Sequence, residues 1–216
     1  MTIRSAESSG TEMRRFLLIC LLLVSLLLAG CSSRFSVTES GYTDTKTGRH
    51  YVALSAAYEA ASGGEEVGTF EDETYGRVVH FRVIPGADAA RFLTDEYGSV
   101  YCADEQLPDA AAWSVKRILI CEEDAITVEL SRVTDTADIA QICAVWFEGE
   151  ERELPLDAAS TVRHLKLVSD AFPGVYYGFR FYLYEDGNAY FYSTVDRRAV
   201  TVPAELIELF VAEATE

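Results

Sequence analysis

The sequence predicts an α+β fold, an antiparallel sheet with helices on one side, from three observations. Runs that alternate apolar and polar residues are separated by short turn signals, as at Ile126-Thr127-Val128-Glu129-Leu130 and in the aromatic run from Val175 to Tyr184. Two segments instead carry apolar residues at helical spacing: Leu54, Ala57, Tyr58 and Ala61, then Ile139, Ile142, Cys143 and Trp146. These elements recur in one order at offsets of 84 to 95 residues, as in His80 against His164, Pro85-Gly86 against Pro173-Gly174, and Leu107-Pro108 against Val202-Pro203. That recurrence suggests two degenerate helix-strand-hairpin repeats, at 50–114 and 134–216, with a linking strand pair at 115–133.

At the N-terminus, Arg14-Arg15 precede an apolar run from Phe16 to Leu28, followed by small residues and a cysteine. This is the three-part form of a secretory signal, and the run is short for a membrane span, which needs about 20 apolar residues. The ending Leu28-Ala29-Gly30-Cys31 resembles, at all four positions, the lipobox of bacterial lipoproteins. The resemblance implies cleavage by signal peptidase II, a lipid on Cys31, and residence on the extracytoplasmic side of the cell membrane or outer membrane. Residues 1–30 are then the signal peptide, and Met13 is a plausible start, because Met1 to Glu12 are polar and precede a complete signal. Residues 31–49 are polar and read as a tether, with one short strand around Phe35 to Thr38.

Helix A is predicted over 50–62, closed by Gly63-Gly64. An acidic loop (Glu65, Glu66, Glu71, Asp72, Glu73) leads into a strand from Arg77 to Ile84 that Pro85-Gly86 ends. Arg91–Thr94 and Ser99–Ala103 form a hairpin about Tyr97-Gly98, and Leu107 to Trp113 a short helix with Pro108 in its first turn. Strands from Val115 to Cys121 and from Ile126 to Ser131 follow, the second burying Ile126, Val128 and Leu130. Helix B has its N-cap among Thr134-Asp135-Thr136 and stops at Gly149. A strand from Val162 to Val168, a long hairpin (Val175–Tyr184 and Asn188–Thr194), an extended piece from Ala199 to Val202 and a C-terminal helix after Pro203 complete the chain. The layout is similar to that of the β-lactamase inhibitory protein type, a likeness of arrangement that implies no function.

Without residues 1–30 the chain has 186 residues, enough for one ordinary domain. The formal net charge is -17, and one unit more negative once the signal is removed, so no nucleic-acid partner is expected. No nucleophile elbow, zinc-binding helix motif, phosphate loop or calcium loop occurs, so no catalytic residue, metal or cofactor is nominated. His80 and His164 lie on strand faces opposite Phe81 and Leu165 and read as solvated, and the clusters Glu71–Glu73, Glu122–Asp124 and Glu148–Glu153 as solvated loops. Of the cysteines outside the signal and lipid site, Cys143 reads as core, and Cys102 with Cys121 is the one disulfide pairing expected.

The long hairpin nominates a surface. A three-residue loop, Glu185-Asp186-Gly187, pairs Tyr182 with Tyr190 and Arg180 with Tyr192, gathering Phe179, Phe181, Leu183, Ala189 and Phe191 on one side. The other side holds Tyr176, Arg180, Tyr182, Tyr184, Tyr190 and Tyr192, residue types enriched in binding hot spots. Alternatively that side packs beneath another element. The expectation is a lipid-anchored, non-catalytic binding domain of the cell envelope whose partner is an envelope protein, peptide or glycan. The alternatives are an envelope hydrolase with a dispersed active site and a ligand-binding lipoprotein attached to a transporter.

Overall fold

The structure, a computed structural model, describes residues 33–103, 109–122 and 128–211. Its first half is all strand: β1 (Phe35–Val37), β2 (Tyr42–Asp44), β3 (His50–Ala53), β4 (Tyr58–Ala60), β5 (Glu66–Asp72), β6 (Arg77–Val83), β7 (Phe92–Thr94) and β8 (Val100–Cys102). After a 3-10 turn at Ala110–Ala112 come β9 (Val115–Glu122), β10 (Glu129–Val133), α1 (Thr136–Glu148), β11 (Glu151–Arg152), β12 (Thr161–Ser169), β13 (Val175–Leu183), β14 (Ala189–Ser193), β15 (Arg198–Thr201) and α2 (Ala204–Val211). Two antiparallel sheets result, in the orders β1-β2-β3-β8-β7-β6-β5 and β10-β9-β12-β13-β14-β15-β11, with β4 added to the second through β13. Among the described residues no helix is long and apolar enough to cross a membrane.

The second sheet is the α+β part. Asp135 caps α1 by accepting from the amides of Ala137 and Asp138, and Gly149 follows its last turn. Its buried stripe, Ile139, Ile142 and Trp146, lies on the sheet, where Trp146 stacks on Phe179 with ring centroids 4.6 Å apart. Phe210 of α2 rests on Phe181 and Phe191. Both helices therefore cover the phenylalanine face of the hairpin. The register is the one that the three-residue loop requires: Tyr182 opposes Tyr190 and Arg180 opposes Tyr192. Gly187 sits at φ +82°, and the Tyr184 amide donates to the Asn188 carbonyl.

The first half departs from expectation. Helix A does not form, because His50–Ala53 pairs with β8 and Tyr58–Ala60 with β13, with a turn at Ser55 between them. Long-range pairing thus overrides a four-residue apolar pattern. Without that helix the first repeat lacks its defining element, and the likeness to the inhibitory-protein layout goes with it. What recurs is a three-strand meander, β6-β7-β8 and β12-β13-β14. The acidic loop is largely strand β5, an edge partner of β6. The tether also folds, since Phe35 is 1% exposed inside a core with Tyr51, Phe81 and Leu93. Arg34 closes the curl by binding Asp44 through two hydrogen bonds and donating to the Val67 carbonyl of β5.

Smaller differences have local causes. A bulge between Glu129 and Ser131 shifts the alternation of β10, so Val133 opposes Ile118 on the buried face, while Val128 lies ahead of the strand and is exposed. Ile126, Leu107 and Pro108 lie outside the described residues. Cys102 and Cys121 are not joined by a disulfide: β8 lies between β3 and β7, β9 between β10 and β12, in different sheets. Cys102 packs with Phe92, Val100 and Val175 where the sheets meet, and Cys143 against the helix-covered core.

Candidate functional site

The site begins with a strand exchanged between the halves. Pairing of β4 with β13 sets Glu59 opposite Tyr176, on the sheet face away from the helices. On β12 the same face carries His164 and Lys166, opposite Arg180 and Gly178. Gly178 makes the meeting of these side chains feasible. A Cβ there would stand 2.4 Å from Glu59 Oε1 and 3.1 Å from His164 Nε2, and the Gly178 amide is committed to the Ala57 carbonyl.

Glu59 consequently lies between two bases. Its Oε1 is 2.5 Å from His164 Nε2, and its Oε2 is 2.8 Å from Lys166 Nζ. Both partners are deeply buried, His164 at 8% and Lys166 at 5% exposure. Burial alone would raise the Glu59 carboxyl, but the bonds to His164 and Lys166 prevail and hold it below the usual carboxylate range. Lys166 also points its ammonium at the Tyr176 ring, 5.6 Å from the centroid. An ammonium has three donors, and among the described residues the ion pair of Lys166 is with Glu59 Oε2, a buried oxygen with no other partner.

A cleft of about 820 Å³ opens over this cluster, between the two sheets. Lys166, Glu59, Tyr176 and Cys121 line it from the second sheet, Tyr97 and Ser99 from the first. The rim is fixed by Asp95, whose carboxylate accepts from the amides of Tyr97 and Ser99 and from the Tyr101 hydroxyl. A smaller recess of about 190 Å³ shares Glu59 and continues past His164 to Arg180 and Tyr192. Chemically this is a concave surface with a buried cation, hydroxyls and aromatic rings, the composition of a small-ligand site.

No protein family, curated protein or solved structure matches the chain.

The structure divides the six residues nominated from the hairpin. Tyr176 lines the cleft, while Arg180 and Tyr192 line the recess. Tyr182 pairs edge-to-face with Tyr192, and Tyr184 with Tyr190. Tyr184 is buried, its hydroxyl donating to the Pro155 carbonyl, and so belongs to packing rather than to an open surface. His164 is not solvated but buried and bound to Glu59, whereas His80 is partly exposed and bound to Glu66. Among the described residues no cluster of His, Cys, Asp or Glu is arranged to hold a metal ion. Glu59 escaped the sequence because its segment read as a helix. The available signal was Gly178, a glycine inside an aromatic strand, which marks close approach by another group.

Proposed function

We propose that this protein is a lipid-anchored, extracytoplasmic binding domain of the bacterial cell envelope, non-catalytic, whose ligand occupies the cleft between the sheets. The ligand is a peptide or glycan fragment with an acceptor group, such as a carboxylate, that meets Lys166 while an apolar or ring face stacks on Tyr176. The observation that carries this reading is Lys166, a buried ammonium on the cleft floor whose ion pair among the described residues is with Glu59 alone. The signal and lipobox-like ending at Leu28–Cys31 support the location.

Amide hydrogen exchange on the full-length protein, with and without soluble cell-wall peptides and oligosaccharides, tests the proposal. Protection is expected in segments 53–62 and 96–101 and around Tyr176, and its loss in Lys166→Met. Protection elsewhere only, or unchanged in Lys166→Met, would contradict it.

One observation favours the rival hydrolase reading. Cys121 opposes His164 across β9 and β12, and His164 is in turn held by Glu59, which is the order of nucleophile, base and orienting group. Against it, burial raises the Cys121 thiol even though Lys166 pulls the other way, and Cys121 faces the cleft while His164 faces the recess. Slow alkylation of Cys121 by iodoacetamide at neutral pH is the outcome consistent with binding. A fast reaction abolished by His164→Ala would establish the rival.

A further inference from the structure

The described chain is fixed from its first residues. The Ser33 hydroxyl oxygen accepts from the Glu71 amide, Arg34 is fixed to Asp44 and Val67, and Phe35 is core. Two residues of chain reach about 7 Å at most, so the Cα atom of Cys31 lies within that distance of Ser33. A domain on a long tether would tumble freely above its lipid, whereas a lipid on Cys31 would hold this one close.

The direction of the chain selects the face. Arg34 lies beside Val67 and Gly68 and Ser33 beside Glu71, so the step from Arg34 back to Ser33 runs toward the β5–β6 turn, residues 73–76. That turn carries Tyr75, which is 76% exposed. Beside it stands Val78, 43% exposed and paired with Glu71, the residue that holds Ser33. Arg77 lies 5.5 Å from the Tyr75 ring and bonds Asp72, neutralising one of the local acids. A tyrosine with an apolar body and a polar tip suits the head-group layer, which is about 5–8 Å deep on each side of a bilayer. The acids Glu71 and Glu73 disfavour both deeper insertion and an anionic surface.

We infer that the β5–β6 turn, through Tyr75 with Val78 and Arg77, rests in the head-group layer of the membrane that holds Cys31, and so fixes the orientation of the domain. The inference rests on the lipid-anchor reading of Cys31. It also places the cleft near the bilayer, since the turn bearing Tyr97 lies along β6, where the Glu96 carboxylate accepts from the His80 amide.

The test uses the full-length acylated protein in phosphatidylcholine vesicles with brominated acyl chains. Tyr75→Trp reports the proposed contact, and Val37→Trp is the control at the far end of β1, about 13 Å further along the strand. Val37 is 59% exposed, and the native Trp113 and Trp146, both buried, supply a background measured on the parent. Loss of Tyr75→Trp emission relative to unbrominated vesicles, with Val37→Trp unaffected, is the expected result. Equal quenching of both, or of neither, in protein whose mass shows the acyl groups on Cys31 would overturn the orientation alone. A mass without them would overturn the anchor and the orientation together.

Discussion

At Glu59 one carboxylate serves both His164 and Lys166, so removing it leaves a buried ammonium with no counter-charge. Breaking such a cluster from one side costs about 3–5 kcal/mol, and Glu59→Ala is expected to lose that much in a denaturant melt. Gly178→Ala reaches the same cluster sterically, because the new Cβ overlaps Glu59 Oε1 and the strand is pinned at Ala57. A cost of about 1–3 kcal/mol is expected from that overpacking. Asp44 offers a test by pH. Hydrogen bonds from Arg34, Lys46 and Thr47 bring its carboxyl down to about 2 from 3.8. A carboxyl lowered on folding stabilises fully above its unfolded value and ceases to as the pH falls through its folded value. The parent should therefore lose about 2 kcal/mol between roughly pH 4 and pH 2 through Asp44, a loss that Asp44→Asn removes.

Among the elements, the β13–β14 hairpin was legible to the residue, because a loop of given length admits few registers and only one sorts phenylalanines from tyrosines. The sorting has an energetic counterpart. Phe179→Ala empties a fully buried site stacked on Trp146 and is expected to cost about 3–5 kcal/mol. Tyr182→Ala, half-buried on the opposite face, should cost about 1 kcal/mol, near the centre of the usual range for substitutions. Comparable losses from both in thermal melts would mean that the tyrosine face is as enclosed as the core. The first half was less legible. Its strands are three to seven residues long, and β4 finds its partner more than 100 positions away, where no local pattern can announce it. Strand alternation likewise placed His164 opposite Leu165 but not what covers it, which is Glu59.

Over the whole molecule, the exchange of β4 into the second sheet stitches the halves together and creates the cleft at the seam. If Cys31 carries the lipid, Cys31→Ala should leave the fold intact, since the described fold begins beyond it, while releasing the protein from membranes or leaving it unprocessed. Fractionation and mass measurement of that variant check the outcome; cleavage with membrane retention equal to the parent would refute the anchor. On the binding reading, the charged floor of the cleft serves a ligand and not the fold. Buried ionic clusters replaced whole by apolar residues of similar size are commonly neutral or stabilising by about 1–4 kcal/mol, unlike clusters broken from one side. The deciding measurement is the thermal melt of Glu59→Leu/His164→Leu/Lys166→Met beside that of the parent. A melting temperature equal to or above the parent's is expected, and a fall matching that of Glu59→Ala would overturn the binding reading by showing that the cluster exists to hold the sheets together.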